Sequence, residues 1–395
     1  MTKRILALLW IGVLCLGLLL YNLPVSQSHF QPQATSTAPT QTAPEPPAPP
    51  QPHVRILNDD PSLQAAWEKI AADYTKATNI PVTVIPAGQA GEETPTLFTL
   101  HSEAELDQWK DLCLDFSGSA VYNQLASWDL TLRDNQKVCG IANNINTFGL
   151  IVNTELLARA GYTLSQITSL AELRQKAGTI YTNQETLGFT AFASADLTGN
   201  MAAYLASIPD NFQAFLDLYI NHSTCYPSEL AEKTAADSLE DFRSGKAVFY
   251  LGGTKEYQQL TDMKLDILPI FRGTEDDARQ CLCVAATSYW CVRNDAAPQD
   301  IQATLDFLAY LVTRDADGNV PVDQLQLLSP YRQATYSSNK LESHLRQDLV
   351  SGKEWLICDP VEELPEGYAE ALLAYAAAPN GPNWAAVLTA LNRTE

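Results

Sequence analysis

Two aromatic residues beside two hydroxyl residues provide the first recognisable binding chemistry in this chain. Tyr289 and Trp290 follow Thr287 and Ser288 near the end of an apolar, strand-like run. An aromatic face can stack on a sugar ring, while hydroxyl and amide groups can bond the hydroxyls of the sugar. Because adjacent strand residues face opposite sides of a sheet, we expect the two rings to lie on opposite sides of the strand, with one of them packed in the core.

An asparagine-rich stretch offers complementary amide groups. Asn143, Asn144 and Asn146 precede Phe148, so a polar cluster ends in an aromatic residue. Amides both donate and accept hydrogen bonds, which suits a hydroxylated ligand. Asparagine also favours turns, so a turn is the alternative reading of this stretch.

The motifs that would indicate catalysis or metal binding are absent from the sequence or incomplete. The sequence contains no G-x-S-x-G elbow, H-E-x-x-H helix or Cys–His signature. Asp315, Asp317 and Asn319 have the spacing of a calcium loop, but Val320 and Gln326 replace its required glycine and glutamate. We therefore predict a binding protein that is not an enzyme and has no cofactor or metal. A hydrolase is the least favoured alternative, since a catalytic carboxylate pair is recognised only by its spatial separation.

Seven cysteines follow residue 53, an odd number that cannot all pair within one chain. They are Cys113, Cys139, Cys225, Cys281, Cys283, Cys291 and Cys358. Buried free thiols are the first interpretation, one or two disulfides the second and a metal site the third. Cys281 and Cys283 are separated by a single residue, whereas paired zinc ligands usually have two to four residues between them.

The N-terminal segment predicts export. Lys3 and Arg4 precede an apolar run from Ile5 to Leu23, which is close to the ~20 residues that span a bilayer. An uncleaved anchor over residues 1–25, a signal cleaved near residues 25–28 and a lipoprotein processed at Cys15 remain open. Residues 26–53 are a Pro-rich linker that would separate a folded body from the membrane. The expected location is outside the cytoplasm, with the protein held at the cell membrane by this segment.

Charge and periodicity describe the folded part, residues 54–395. The chain has 25 basic and 46 acidic residues, a formal net charge of −21, which argues against nucleic acid as a partner. Strands are predicted at 54–57, 80–85, 96–100, 147–152, 247–251, 265–270 and 285–292. Helices are predicted from Pro61, at 154–160, at 169–177 before Gly178, near 212–219, at 300–313 and at roughly 338–350, 366–378 and 382–392. This alternation and length predict an α/β fold with two lobes.

Four segments in this order resemble family 1 extracellular solute-binding proteins of ABC importers, the sugar-binding group related to maltose-binding protein. They are Ala66–Ile70 with Ile80–Val84, Phe148–Asn153 with Leu156–Leu157, Asp241–Phe249, and Tyr289–Val292 with Ile301–Leu308. The resemblance covers about residues 55–392. It implies a periplasmic-binding-protein-like fold with two lobes, an interlobe hinge and a ligand cleft.

The resemblance also implies where ligand contacts lie. His101 matches a cleft-facing turn after a strand, Asn146 matches a position that is often an acidic sugar ligand, and Phe189 matches an interlobe strand that also holds Phe192. Relatives often have Trp where this chain has Lys255, which is followed by Tyr257. Together with Phe148, Tyr289 and Trp290, these residues form the expected site, and an acidic sugar is an alternative to a neutral one.

The function expected from the resemblance is a membrane-tethered receptor. It would bind a carbohydrate or related polar solute, close its lobes and deliver the solute to an ABC permease. The alternative is a sensor or docking domain of the same fold that signals to a membrane partner without transport.

Overall fold

The computed structural model describes residues 51–89, 91, 93–194, 212–257, 259–260, 262–271, 280–337, 342–343, 346–347, 354–357 and 365–391. The expected anchor at 1–25, the linker up to residue 50 and most of the helix expected near 338–350 lie outside these residues. Within the described part of the chain, no helix is long and apolar enough to cross a membrane.

Strands and helices alternate along the described chain. The strands are β1 (Val54–Asn58), β2 (Val82–Pro86), β3 (Leu97–Leu100), β4 (Thr131–Asp134), β5 (Lys137–Asn153), β6 (Thr190–Phe192), β7 (Ala247–Gly253), β8 (Leu265–Leu268), β9 (Ile270–Phe271), β10 (Gln280–Val292) and β11 (Glu354–Ile357). The helices are α1 (Gln64–Thr78), α2 (Glu103–Trp109), α3 (Thr154–Arg159), α4 (Leu170–Thr182), α5 (Gln184–Leu187), α6 (Phe212–Asn221), α7 (Ala235–Arg243), α8 (Thr254–Tyr257), α9 (Pro298–Val312), α10 (Tyr368–Ala377) and α11 (Gly381–Ala390).

The β1–α1–β2 unit forms as its sequence pattern predicts. Asp60 accepts a hydrogen bond from the Ser62 amide at 2.9 Å, and Pro61 begins a single 3₁₀ turn that leads into α1. The inner face of α1 is buried and comprises Trp67, Ile70, Ala71 and Tyr74. Asn79 ends the helix in the left-handed conformation, with φ of 59°.

The described strands form one mixed sheet. Its main path runs β2-β1-β3-β10-β5-β7-β6. β1 is parallel to β2 and β3, whereas β10 runs antiparallel to both β3 and β5. Helices interspersed with such a sheet confirm the predicted mixed α/β fold.

Two hydrophobic cores occupy different ends of the long strands β5 and β10. The first core contains Val138 and Ile141 of β5 and Trp290 and Val292 of β10. The second core contains residues 148, 150 and 152 of β5 and residues 283 and 285 of β10. Between these two cores, a third buried cluster packs against the middle of both strands and includes Ala142 and Ile145 of β5 and Ala286 of β10.

Three local predictions needed correction. The helix expected to end before Gly178 continues to Thr182, because this glycine keeps a helical conformation and packs without strain inside α4. The strand expected at 147–152 is the end of a strand that begins at Lys137, so the asparagine-rich stretch is β-strand and not a turn. The strand expected at 265–270 is divided into β8 and β9 around Pro269, which has no amide hydrogen for a ladder.

Candidate functional site

A cavity of about 230 Å³ lies where β1 and β3 end beside the middle of β5 and β10. Polar residues dominate its wall: Asn58, Asp59, Asp60, Thr99, His101, Asn143, Asn144, Thr287 and Ser288. Apolar residues complete it: Ile56, Leu57, Leu63, Trp67, Leu97, Trp290 and Leu327. Ligand sites in open α/β sheets commonly lie at the carboxyl ends of strands, as this cavity does.

A bulge in β10 shapes the back of the cavity. The pairing of β10 with β5 shifts register on both sides of Ser288. Bulges locally redirect side chains, and here Thr287 and Ser288 both line the cavity. The Ser288 hydroxyl bonds the Asn143 side chain, and the Thr287 hydroxyl donates to the Asn144 carbonyl at 3.4 Å.

His101 and Asp59 form an ion pair at the cavity wall. The distance from His101 Nε2 to Asp59 Oδ2 is 2.7 Å, and both side chains remain partly exposed. Burial alone would lower the pKa of His101. The hydrogen bond and charge of Asp59, the charge of Glu105 and the Thr287 carbonyl outweigh burial, and they raise the pKa above its ordinary value. When it is protonated, His101 balances the charge of Asp59.

The negative charge of Asp60 is also compensated by nearby groups. Its carboxylate accepts bonds from the Ser62 amide at 2.9 Å and the Ser62 hydroxyl at 2.6 Å. The amide belongs to the turn that opens α1, where the partial positive charge of a helix start favours a carboxylate. Each carboxylate of the cavity wall therefore already has a partner within the protein.

Trp290 borders the cavity while packing mainly in the first core. Only 1% of its surface is exposed. Its ring stacks on Tyr331 at a centroid distance of 5.9 Å and meets the edge of Trp67 at 6.1 Å. Tyr289 faces the opposite side of β10, is half-buried and packs beside smaller clusters without lining this cavity.

A second polar group follows along β5. Asn144 and Asn146 share the more exposed side of β5, two residues and hence ~7 Å apart along the strand. The Asn146 side chain bonds the Thr254 hydroxyl and accepts from the Thr147 amide at 3.0 Å. Thr254 begins α8, which also contains Lys255 and the buried Tyr257. Asn146 thus lies against the start of α8, and neither Asn146 nor Tyr257 lines the cavity.

The expected phenylalanines are core residues. Phe148, Phe189 and Phe192 are 5%, 4% and 0% exposed and belong to the second core. The Arg159 guanidinium lies 4.9 Å from the Phe189 ring centroid. None of the three lines the cavity. Of the eight expected site residues, the structure brings His101 and Trp290 to the cavity.

The sequence interpretation missed Asn58, Asp59, Asp60 and Thr99 as site residues. Three consecutive polar residues directly after the first apolar strand were the available signal, since strand ends in such sheets carry ligand groups.

No group of three or more His, Cys, Asp or Glu side chains among the described residues is arranged to hold a metal ion. Asp315, the first residue of the rejected calcium pattern, instead accepts bonds from the Asp317 and Asn319 amides at 3.0 and 2.7 Å. Its carboxylate therefore stabilises a turn.

Comparison with known proteins adds a family-level result. A family described as bacterial extracellular solute-binding protein matches residues 69–343. No curated protein matches the chain.

Solved structures share the fold. The apo form of RafE from Streptococcus pneumoniae is 14% identical, with a TM-score of 0.63, over 87% of this chain and 96% of that one. A family 1 extracellular solute-binding protein from Bifidobacterium longum subsp. infantis is 17% identical, with a TM-score of 0.63, over 86% and 98%. The bacterial solute receptor AcbH is 13% identical, with a TM-score of 0.64, over 87% and 98%.

Proposed function

Because the chain belongs to the bacterial extracellular solute-binding protein family, we propose that it is a receptor for a neutral carbohydrate. The observation that carries this proposal is the cavity at the strand ends, where amides, hydroxyls and a charge-balanced His101–Asp59 pair converge. A hydroxylated ring can exchange hydrogen bonds with each of these groups.

The charge balance favours a neutral ligand over a charged one. Asp59 is paired with His101, and Asp60 is held by Ser62 and the helix start. A carboxylate ligand would meet two acidic side chains and no unpaired basic group among the lining residues, and it would lose hydration without compensation. The acidic-sugar alternative is therefore not the one we favour.

Structural relatives named for sugars are consistent with this ligand class. RafE has been solved in complex with raffinose, AcbH is described as preferring β-D-galactopyranose, and MalE3 of T. maritima has been solved with maltose. The low identities mean that the particular sugar does not carry over to this chain.

Cleft closure is part of the proposal. The first and second cores meet different ends of β5 and β10, and we place the hinge between these two ends. Closure would bring Asn146 and the start of α8 towards the cavity. A closed receptor would then deliver its sugar to an ABC permease, and the N-terminal segment would hold it close to that permease at the membrane.

Thermal shift in the presence of raffinose, maltose or galactose tests binding, since a ligand that binds only the folded state raises Tm. We expect at least one neutral sugar to raise the Tm of the full chain and to be recovered chemically unchanged. Asn144→Ala should remove most of this rise because it deletes an amide at the cavity. The matched control Asn221→Ala, on the exposed face of α6, should keep it. An equal loss in both variants, or conversion of the sugar, would contradict the proposal.

Transport and tethering need separate tests. Deleting the gene should abolish cellular uptake of the sugar that the protein binds, whereas unchanged uptake would contradict delivery to an importer.

The full chain should fractionate with membranes and a chain lacking residues 1–25 should not. Equal fractionation of both would contradict the anchor.

A further inference from the structure

A series of hydrogen bonds leads from the surface of α1 to Asn58, one of the residues that line the cavity. Asn58 Nδ2 donates to Gln64 Oε1 at 2.8 Å, and Gln64 Nε2 donates to Glu68 Oε1 at 2.8 Å. On its other side, Asn58 Oδ1 accepts from the Asp60 amide at 3.3 Å. We refer to these four residues as the amide relay.

Local backbone structure brings the members of the amide relay together. Asn58 is the last residue of β1 and Gln64 is the first residue of α1, so both lie where the chain passes from strand to helix. Glu68 lies four positions after Gln64, and such side chains are neighbours on a helix surface. The Asp60 amide lies two residues after Asn58, the spacing at which an asparagine side chain stabilises a turn.

The hydrogen-bonding capacity of the two ends fixes the direction of the relay. The Glu68 carboxylate can only accept, and the Asp60 amide can only donate. If the Asn58 amide were reversed, its NH₂ group would face the Asp60 N–H and its oxygen would face the Gln64 oxygen. Two donors and two acceptors would then oppose each other. The bonds therefore hold the Asn58 amide in one of the two orientations that its shape allows.

Asn58 has one hydrogen left for a ligand. The residue is 3% exposed and lines the cavity. Its NH₂ group carries two hydrogens, and one of them is donated to Gln64. Among the residues that the structure describes, no acceptor takes the second. A buried donor without a partner costs free energy, and a hydroxyl oxygen of a bound sugar would provide the missing acceptor.

Gln64 acts on the cavity without lining it. Its bond to Glu68 is exposed, and pairs of this kind at four positions apart stabilise a helix only slightly. Its bond to Asn58 is partly buried, so loss of the Gln64 oxygen would leave Asn58 Nδ2 without its acceptor inside the protein. Gln64 is therefore the member of the relay on which the orientation of Asn58 depends most.

We propose that Gln64 is a positioning residue of the ligand site, which holds the Asn58 amide so that its second N–H is donated to a hydroxyl oxygen of the bound sugar. This inference rests on the proposed function, because it names a donor to the same ligand.

Calorimetric titration of the full chain with the neutral sugar that raises Tm measures the contribution of Gln64. Gln64→Leu removes the acceptor and should weaken binding about tenfold, the effect of losing one hydrogen bond of ordinary strength. Gln64→Glu keeps an acceptor for Asn58 Nδ2 and should bind nearly as tightly as the wild type. An equal loss of affinity in both variants would overturn the proposal, since it would reflect a general disturbance of the helix start.

α9 offers a matched control. Gln302 Nε2 donates to Asp306 Oδ1 at 2.9 Å, the same pair of residue types at the same spacing, and neither residue lines the cavity. Gln302→Leu should therefore keep the affinity of the wild type. Equal affinities of Gln64→Leu and Gln302→Leu would contradict a positioning role for Gln64.

A double-mutant cycle distinguishes positioning from an independent effect on the ligand. Asn58→Ala should weaken binding because it deletes the donor. If Gln64 acts through Asn58, adding Gln64→Leu to Asn58→Ala should weaken binding no further. If the two losses multiply in the double variant, Gln64 acts by another route and the proposal is wrong.

The orientation of Asn58 can also be measured without a ligand. NMR of the full chain with isotope-labelled asparagine reports how fast the NH₂ hydrogens exchange with water, and Asn58→Ala identifies their signals. Exchange of the hydrogen donated to Gln64 should be slow in the wild type and in Gln64→Glu, and faster in Gln64→Leu. Equal exchange in the wild type and Gln64→Leu would overturn the amide relay itself.

These measurements separate the failure of this inference from the failure of the proposed function. If the wild type binds no neutral sugar, the proposed function and the ligand contact of Asn58 are both wrong. If the wild type binds the sugar and Gln64→Leu binds it equally well, only the positioning role of Gln64 is wrong.

Discussion

His101 Nε2 lies 2.7 Å from Asp59 Oδ2, so the ends of β3 and β1 are joined by an ion pair at the wall of the cavity. The Thr287 carbonyl of β10 helps to raise the pKa of the same imidazole. One side chain therefore connects the strand ends to the bulge that shapes the back of the site.

This relationship predicts a pH dependence of stability. The pKa of His101 is raised in the folded protein by Asp59, Glu105 and the Thr287 carbonyl against the effect of burial. The stability that protonation contributes is complete below the ordinary histidine pKa of about 6.5 and is lost as pH rises through the raised folded value. We expect Tm to fall over that interval in the wild type and to fall less in His101→Gln. Parallel Tm curves for the two proteins would contradict this assignment. Added salt should reduce the difference because the pair is partly exposed.

A second prediction concerns Trp290, whose ring belongs to the first core although it borders the cavity. Trp290→Ala should lower the free energy of unfolding by about 3–5 kcal/mol, the usual effect of deleting a buried large aromatic residue. Denaturant unfolding measures it, with the half-buried Tyr289→Ala as the comparison that should lose less. Similar losses in both would show that Trp290 is not the core residue described here. Because the substitution also destabilises the core, a loss of ligand binding in Trp290→Ala does not by itself show that Trp290 contacts the ligand.

Close backbone packing at Gly253 leads to a third prediction. A Cβ at this position would lie 2.2 Å from the Thr147 carbonyl oxygen and 2.7 Å from Phe148 Cδ1. Gly253→Ala must push β7 away from β5 and should destabilise the fold by about 1–3 kcal/mol. Gly88→Ala is the matched control, since nothing lies within 4 Å of its added Cβ. Equal unfolding midpoints for both variants would contradict the pairing of β5 with β7.

The buried carboxylate of Asp241 leads to a prediction about the stability of the protein at acidic pH. It pairs with Lys233 at 2.5 Å and Lys246 at 2.7 Å and accepts from Thr224 at 2.9 Å. Burial opposes ionisation, but these three partners prevail and lower the pKa of Asp241. Its contribution is therefore present above the unfolded value of about 3.9 and is lost as pH falls through the folded value. Asp241→Asn should destabilise the protein at neutral pH and flatten the decline of Tm on acidification. The exposed Asp262→Asn should behave like the wild type, and an unchanged acid profile in Asp241→Asn would contradict the prediction.

The fold was largely predictable where sequence pattern and local structure agree. The β1–α1–β2 unit carries its own signals in Asp60, Pro61 and the apolar face of α1. Asn153 likewise begins α3 by accepting hydrogen bonds from the Glu155 and Leu156 amides. Family resemblance added the order of the elements.

Local patterns could not reveal the full length of β5. Its asparagines disfavour a strand when considered alone. In the structure they have partners on neighbouring elements: Asn143 bonds Ser288 of β10, and Asn146 bonds Thr254 at the start of α8. Tertiary contacts therefore stabilise a strand that local propensity does not predict.

The cavity was harder to predict than the fold for a related reason. It exists because Asp59, His101 and Thr287, far apart in sequence, meet at strand ends and at a bulge. A register shift in β10 leaves no sequence signature, so it could not be foreseen. The resemblance indicated His101 but not Asp59, and it indicated Phe148 and Phe189, whose rings belong to the second core.

The central claim is that the protein binds a neutral sugar in preference to an acidic one. If galactose is the sugar that raises Tm, calorimetric titration of the full chain with galactose and with galacturonate tests this claim most directly. Otherwise the sugar that does so is used with its own uronic acid. The two ligands differ in a single carboxylate, so the comparison isolates charge at the cavity. We predict one-to-one binding of the neutral sugar and at least tenfold weaker binding of the acid. Tighter binding of the acid, or no binding of any neutral sugar by the folded protein, would contradict the account.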